Sequence, residues 1–336
     1  MDGRKFLRGV AISAVIIPTL AFAEPRIAPL NRILDSYSAI SKETLQDKTL
    51  QDKIDLAVSN LTLEGYITSE ERVAVVAQDL TTREVLVSRN AYEEMQAAST
   101  VKPPIEFVVR HKVNAGKLAL DEVLERAMEV CIRESNNAAS NYLMFRAGGP
   151  EEVQRVLSEL FRPGYGINIK EYFPFTRSSK TLTDEFKTKY GVEIPFAANG
   201  KALYANTSTP DFNLRFLERM WKERKVPVWS QIFSSMSRFN KNINYVPVRL
   251  GHSSSEIPAR TDINSSTGSH AKDVQEMGII QGKGKDGKIY PYSLVVNIDR
   301  PTRAENEREF YNRGRNAIAI ISRIVYHHMK EKYNLI

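Results

Sequence analysis

The predicted strands of this 336-residue chain lie near its two ends, and a long helical stretch separates them. Val73, Val75 and Val76 are typical of a strand, and a turn at 81–83 folds the chain into a hairpin. Strands are predicted over 72–79, 84–88, 259–267, 276–281 and 291–299, and helices over 30–65, 99–115, 120–133, 136–146, 150–161 and 312–331, with one more opening at Pro210. The two distant sets of strands can together build one antiparallel sheet.

This order of elements predicts an α/β (α+β) fold of two lobes. One lobe, from residues 55–98 and 245–336, holds the antiparallel sheet flanked by helices, and the other, residues 99–244, is all-helical. Residues 162–206 are predicted to be irregular, and a connection of that length inside a domain is usually functional. We expect the functional site to lie between the two lobes.

The N-terminus has the composition of a secretory signal peptide. Basic residues precede an almost wholly apolar stretch, 10–20, and a small-x-small cleavage site ends at Ala23. We therefore expect residues 1–23 to be removed, 24–54 to form a helical extension, and 55–336 to work in the periplasm or outside the cell. After this cleavage we expect no membrane-spanning segment.

Composition argues against several classes of function. The formal net charge is +7, from 47 basic and 40 acidic residues, and the charges are scattered along the chain. Binding to nucleic acid would need a concentrated basic stripe with aromatic residues, so no nucleic-acid partner is expected.

Cys131 is the only cysteine, so an intramolecular disulfide is impossible. Its apolar surroundings predict a buried small hydrophobe rather than a reactive thiol.

Two short motifs carry the candidate chemistry, and the first joins a hydroxyl to an amine. Ser99 and Lys102 are three residues apart at the start of a predicted helix, so their side chains share one face. The positive end of a helix and burial both lower the pKa of a lysine, which helps it to take the proton of the serine. This spacing alone is common by chance, and Ser269 and Lys272 repeat it.

The second motif, Ser135-Asn136-Asn137, makes the assignment more specific. Together with the sequence around it, this motif resembles the serine–x–asparagine region of class A β-lactamases. The resemblance implies that Ser99 is the nucleophile and Lys102 the base. It also implies that Ser135 relays a proton to the leaving nitrogen, that Asn137 holds the substrate amide, and that the fold is the two-lobe fold shared by β-lactamases and transpeptidases. The family's usual aspartate is Asn136 here.

The strand predicted at 259–267 resembles the one that ends in the family's lysine–serine/threonine–glycine motif. The resemblance implies substrate-binding roles for Thr267 and Gly268, and the adjoining Ser269 and His270 are further substrate-binding candidates. The motif lysine is replaced by Ser266, which removes a positive charge. Because side chains alternate along a strand, His270 and Lys272 share a face with Ser266. Our hypothesis is that one of them restores part of the charge; the alternative is that both are ordinary exposed residues.

The candidate for the base that activates water is Glu193. In the family, deacylation needs a glutamate with an asparagine four residues later. Residues 206–210 resemble the segment that closes the loop carrying this glutamate, and the family's spacing back from Pro210 leads to Glu193. The residue four places on is Ala197. Two interpretations of Glu193 therefore remain open: it is the general base, or it is a surface residue of the loop.

These residues predict an exported, monomeric serine hydrolase that resembles class A β-lactamases. Its substrate would be a small molecule, either a β-lactam or a peptide of peptidoglycan, and neither a metal nor an organic cofactor is needed. A first alternative is a D,D-peptidase-like or penicillin-binding enzyme that is acylated but deacylates slowly, as the incomplete surroundings of Glu193 suggest. A second is a non-catalytic envelope protein that uses the fold for binding, as Ser266 suggests.

Overall fold

A computed structural model describes residues 49–161, 166–197, 206–237, 259–263, 272–302 and 304–336. The strands are β1 Arg72–Asp79, β2 Val85–Arg89, β3 Met95–Gln96, β4 Ile167–Asn168, β5 Thr207–Ser208, β6 Ala259–Ile263, β7 Asp273–Lys283 and β8 Ile289–Asp299. The α-helices are α1 Leu50–Leu63, α2 Lys102–Asn114, α3 Glu122–Arg133, α4 Asn137–Ala147, α5 Pro150–Phe161, α6 Lys180–Tyr190, α7 Pro210–Lys222, α8 Pro227–Ser237 and α9 Glu307–Tyr333. The predicted signal peptide, 1–23, and the extension up to residue 48 lie outside the described residues.

The main sheet is five-stranded and antiparallel, in the order β2-β1-β8-β7-β6. Val75 of β1 lies opposite Val296 of β8, and Gln275 of β7 lies opposite Asn297 of the same strand. The early hairpin therefore pairs with the late strands, and the predicted sheet built from both ends of the chain is confirmed. β7 begins three residues before its predicted start, because buried polar residues there give no apolar strand pattern.

Helices pack on both faces of this sheet. α9 packs on the face that carries Val274, while the turn before α2 contacts Gln275, whose side chain points to the opposite face. Gly314 of α9 lies so close to the sheet that a Cβ atom there would be 2.9 Å from Val274 Cγ2. The absence of a side chain at Gly314 therefore permits the close approach of α9.

An aromatic cluster joins the helices that follow the hairpin. Phe107 of α2 stacks on Trp229 of α8 with 4.3 Å between ring centroids, and Phe161 and Phe216 contact both rings edge-on. Each such aromatic pair contributes about 1 kcal/mol beyond the area that it buries. The cluster links α2 to α5, α7 and α8, and so fixes the helix whose first residue is Lys102.

Local capping signals set the helix starts. The Thr209 hydroxyl accepts a hydrogen bond from the backbone N–H of Phe212, and Pro210 is at the first position of α7, as predicted. Thr49 and Asp52 form a capping box that begins α1. The part of the predicted 30–65 helix that precedes Thr49 lies outside the described residues.

The prediction that 162–206 is irregular is wrong for α6, Lys180–Tyr190. Only Leu182 and Phe186 are buried on this helix, so its apolar periodicity is too weak to predict it. Gly191 ends the helix in the left-handed conformation, with φ 65°. α8 is likewise not predicted by periodicity. Within the described ranges, no helix is both long and apolar enough to cross a membrane.

Candidate active site

The candidate nucleophile lies on a 3₁₀ turn rather than on the predicted α-helix. Ala98–Val101 is a 3₁₀ helix, and α2 begins only at Lys102. With three residues per turn, Ser99 and Lys102 are aligned more closely than they would be in an α-helix. The Lys102 backbone N–H donates to the Ser99 carbonyl. Pro103 follows in the first turn of α2, where a missing N–H removes no helical hydrogen bond.

The structure brings four predicted site residues together. Ser135 Oγ donates to Ser99 Oγ at 2.9 Å, and Lys102 Nζ donates to Ser135 Oγ at 3.1 Å. Lys102 Nζ also donates to Asn137 Oδ1 at 3.0 Å and to the Ser135 backbone carbonyl. A continuous chain of hydrogen bonds thus joins the nucleophile to the amine through Ser135. Because hydroxyl groups both donate and accept, this chain can carry a proton in either direction.

Lys102 is buried to an unusual degree for a lysine. Only 1% of its surface is exposed, and this desolvation lowers its pKa to about 7. Its hydrogen-bond partners are neutral oxygens. Cys131 is buried, as predicted, and burial raises the pKa of its thiol to about 12, so it adds no charge near neutral pH. The Lys102 amine is therefore partly neutral near pH 7 and able to accept a proton.

Ser135 lies between two helix ends. α3 ends at Arg133, and Asn136 caps α4 by accepting from two backbone N–H groups of its first turn. Ser135 between them has φ 50°, and Ala98 beside the nucleophile has φ 37°. Such backbone costs about 1 kcal/mol or more in residues other than glycine, and is retained where geometry serves function. Asparagine and aspartate are equally good caps, which explains why Asn136 can replace the family's aspartate.

Phe173 and Asn141 are site residues that the sequence reasoning missed. The Phe173 ring lies over the Lys102 amine, with 5.2 Å from Nζ to the ring centroid. Asn141 fixes Phe173 by accepting from its backbone N–H at 2.7 Å and donating to its carbonyl at 2.9 Å. Asn141 is one helical turn after Asn137, and this spacing is a signal that could have identified it. No such spacing from a motif residue identifies Phe173 in the sequence.

Gln275 of β7 was also missed. Its fully buried side chain accepts from the Thr100 hydroxyl at 3.3 Å and donates to the Gln96 carbonyl. The same amide donates to Asp273 at 3.0 Å. Gln275 thus ties the sheet to residues on both sides of Ser99, which fixes the turn that carries the nucleophile.

The structure does not bring Glu193 into this cluster. The Glu193 side chain is 85% exposed, and its carboxylate lies 3.6 Å from the Lys187 amine. Ala197, at the position of the expected asparagine, donates its backbone N–H to the Phe173 carbonyl. Of the two interpretations of Glu193, this geometry favours the loop surface residue over the general base, since an exposed carboxylate held by a lysine does not reach the buried hydroxyls.

The remaining predicted site residues follow β6 in the sequence. Ser266, Thr267, Gly268, Ser269 and His270 lie outside the described residues. Lys272 donates to the Pro301 carbonyl at 2.9 Å. Within the described parts of the chain, no three side chains of histidine, cysteine, aspartate or glutamate form a group that could hold a metal ion.

Known proteins share this arrangement of elements. The model of the β-lactamase enzyme family matches residues 57–131 and 124–329. A PBP-A mutant in an acyl-enzyme complex with penicillin G has a TM-score of 0.59 at 16% identity, covering 84% of this chain and 96% of that one. A class A β-lactamase from Bacteroides cellulosilyticus has a TM-score of 0.58 at 15% identity, covering 85% and 100%. At these identities the likeness shows the fold, and the predicted fold is confirmed. No curated protein matches the sequence.

Proposed function

Because this chain belongs to the β-lactamase enzyme family, we propose that it is a serine hydrolase acylated at Ser99 by β-lactams or related amides. The observation that carries the proposal is the hydrogen-bonded chain from Ser99 Oγ through Ser135 Oγ to the buried Lys102 amine. These hydrogen-bonded groups supply a nucleophile, Ser99, a proton relay, Ser135, and a base, Lys102, that is partly neutral near pH 7.

Acylation uses the chain of hydroxyls in both directions. As Ser99 Oγ attacks the amide carbonyl carbon, its proton passes to Ser135 Oγ, and the Ser135 proton passes to the Lys102 amine. When the C–N bond of the substrate breaks, the proton returns from Lys102 through Ser135 to the leaving nitrogen. The acyl group remains on Ser99 as an ester, and the lysine is neutral again. Asn137 would hold the substrate amide while its Oδ1 keeps the Lys102 amine in place.

The fate of the ester depends on a base that can activate water. In the described part of the site, the polar partners of Ser99, Ser135 and Lys102 are hydroxyl, amide and carbonyl groups, and none is a carboxylate. Among the described partners of these three residues, the Lys102 amine is the one base that could take a proton from water at the ester. This observation favours a second candidate function, a penicillin-binding or D,D-peptidase-like enzyme whose acyl-enzyme deacylates slowly.

A purely binding role accounts less well for the buried amine. Burying a lysine opposes folding, because the charged form loses its hydration. A protein that only bound a ligand would gain nothing from a neutral amine aligned with two hydroxyls. We further propose that the enzyme is exported, as its N-terminal sequence indicates, and that it acts as a monomer on a small β-lactam or a peptide of peptidoglycan.

The test uses two reporters on the purified protein. A fluorescent penicillin reports a covalent adduct, and a chromogenic cephalosporin reports turnover, each measured beside Ser99→Ala and beside the control Ser59→Ala, which changes an exposed serine of α1. Label and turnover that depend on Ser99 support the hydrolase. Stable label without turnover supports the slowly deacylating enzyme. If neither label nor turnover depends on Ser99, both enzyme proposals for β-lactams are wrong.

A further inference from the structure

Phe173 is a buried apolar side chain placed directly against the amine that serves as the base. Its ring lies over Lys102 Nζ, with 5.2 Å from Nζ to the ring centroid, and it belongs to the loop before α6. We propose that Phe173 is a positioning residue that keeps water away from the Lys102 amine, so that the lysine stays neutral and can accept a proton. The proposal rests on the proposed function of Ser99 and Lys102, but its first test needs no β-lactam.

Two asparagines of α4 hold the loop that carries this ring. Asn141 accepts from the Phe173 N–H and donates to the Phe173 carbonyl, which fixes the residue on both sides. Asn137 donates through Nδ2 to the carbonyl of Pro174 at 3.4 Å, while its Oδ1 accepts from the Lys102 amine. The same helix therefore positions the amine and its apolar cover, and the ring cannot leave without breaking buried hydrogen bonds.

A ring beside an amine has two opposite effects on the amine's charge. The face of the ring attracts a cation, which shifts the protonation equilibrium by about thirtyfold at a desolvated site. Exclusion of water disfavours the cation, and burial brings the pKa of Lys102 from its usual value near 10.4 to about 7, a shift of more than a thousandfold. The desolvation that burial imposes on Lys102 is the larger effect, and the Phe173 ring, which lies against the amine, is part of those buried surroundings.

The polar and charged groups described around the amine do not account for the low pKa of Lys102. α4 and the residues before it contribute hydroxyl, amide and carbonyl oxygens, and α3 contributes the neutral Cys131 thiol. On α2 itself, Glu106 is fully buried but is paired with Arg110, and burial raises the pKa of its carboxyl. On the side of the sheet, the neutral amide of Gln275 contacts Thr100. Among the described residues, Phe173 is an apolar side chain whose ring lies directly over Nζ.

The experiment is a pH titration of the Lys102 side chain by NMR in protein with ¹³C-labelled lysine. The signal is assigned by its loss in Lys102→Met. In the wild type we expect a midpoint near 7. In Phe173→Ala, water reaches the amine and the midpoint rises by about one pH unit or more. In Phe173→Leu, which keeps water out but has no ring face, the midpoint does not rise. The control Phe175→Ala changes a neighbour that is 53% exposed, and leaves the midpoint unchanged.

Asn141→Ala is a second variant, which retains the Phe173 ring but loosens the loop that carries it. We expect the Lys102 midpoint to rise in this variant too. The proposal is wrong if Phe173→Ala and Asn141→Ala leave the Lys102 midpoint where it is, or if Phe173→Leu raises it as far as Phe173→Ala does. Labelling by fluorescent penicillin gives a second reading. Phe173→Ala should be labelled about tenfold more slowly than wild type at pH 6 and almost as fast at pH 9. If the wild type takes no label on Ser99, the proposed function fails, while the titration still decides the role of Phe173.

Discussion

The neutral state of Lys102 has a consequence for stability that can be measured without any substrate. The pKa of Lys102 is about 7 in the folded protein, whereas a lysine in an unfolded chain has a pKa of ~10.4. Between these two values the unfolded state binds a proton that the folded state does not, so the free energy of unfolding rises with pH. The cost of burying the lysine is therefore full below pH 7 and disappears above the unfolded pKa.

The comparison protein is Lys102→Met, which has a similar shape but does not titrate. Linkage raises the stability of the wild type by ~2 kcal/mol between pH 7 and pH 9, relative to this variant. All other titrating groups are common to both proteins and cancel in the difference. The hydrogen bonds that the variant loses at Asn137 and Ser135 lower its stability about equally at both pH values, so they also cancel.

The assay is urea unfolding of both proteins at pH 7 and at pH 9, followed by circular dichroism. The control Lys180→Met changes a lysine whose side chain is 65% exposed, and we expect its stability difference from wild type to change little with pH. If the difference between wild type and Lys102→Met is the same at both pH values, Lys102 is charged in the folded protein. The proposed relay would then lack its base.

Three further predictions concern the relay, a close contact and a helix cap. Ser135→Ala should slow labelling of Ser99 by fluorescent penicillin at least about 100-fold with little loss of stability, and an unchanged rate would exclude Ser135 as the relay. Gly314→Ala should lower the free energy of unfolding by about 1–3 kcal/mol, because its Cβ meets Val274 at 2.9 Å. The same substitution should cost less when it is made in Val274→Ala, which lacks the nearest methyl group; an equal cost in both proteins would mean that this contact is not the cause. Thr209→Ala should cost about 1 kcal/mol and Thr209→Ser much less, whereas equal losses would argue against the cap.

Much of the fold could be predicted because its signals are local. The valines of β1, and Thr209 with Pro210 at the start of α7, act through neighbouring residues, so the pattern and the structure agree. α6 was missed because only two of its side chains are buried, and its position depends on packing rather than on its own periodicity. The 3₁₀ form of the turn at Ser99 also escapes prediction, because it depends on contacts with β7 that lie far away in the chain.

In the candidate site, too, residues placed by short spacing along the chain could be predicted, and residues placed by distant parts of the fold could not. Ser99 and Lys102 are close because they are three residues apart, and Ser135 and Asn137 flank the start of one helix, so motif spacing was sufficient for these four. Glu193 was reached by counting back along a loop of fixed length, and the unpredicted helix α6 lies just before it. Phe173 comes from a distant part of the chain, and only the path of its loop brings it to the amine.

The most direct test of the central claim is the mass of the protein after reaction with penicillin G. Intact-mass spectrometry at successive times, followed by peptide mapping, shows whether the antibiotic is attached and where. We expect the protein to gain the full mass of one penicillin, on the peptide that contains Ser99, at a rate that rises between pH 6 and pH 8 as Lys102 loses its proton. An adduct on another residue, or neither an adduct nor hydrolysed penicillin at any pH, would contradict the claim that Ser99, Ser135 and Lys102 form an acylating site.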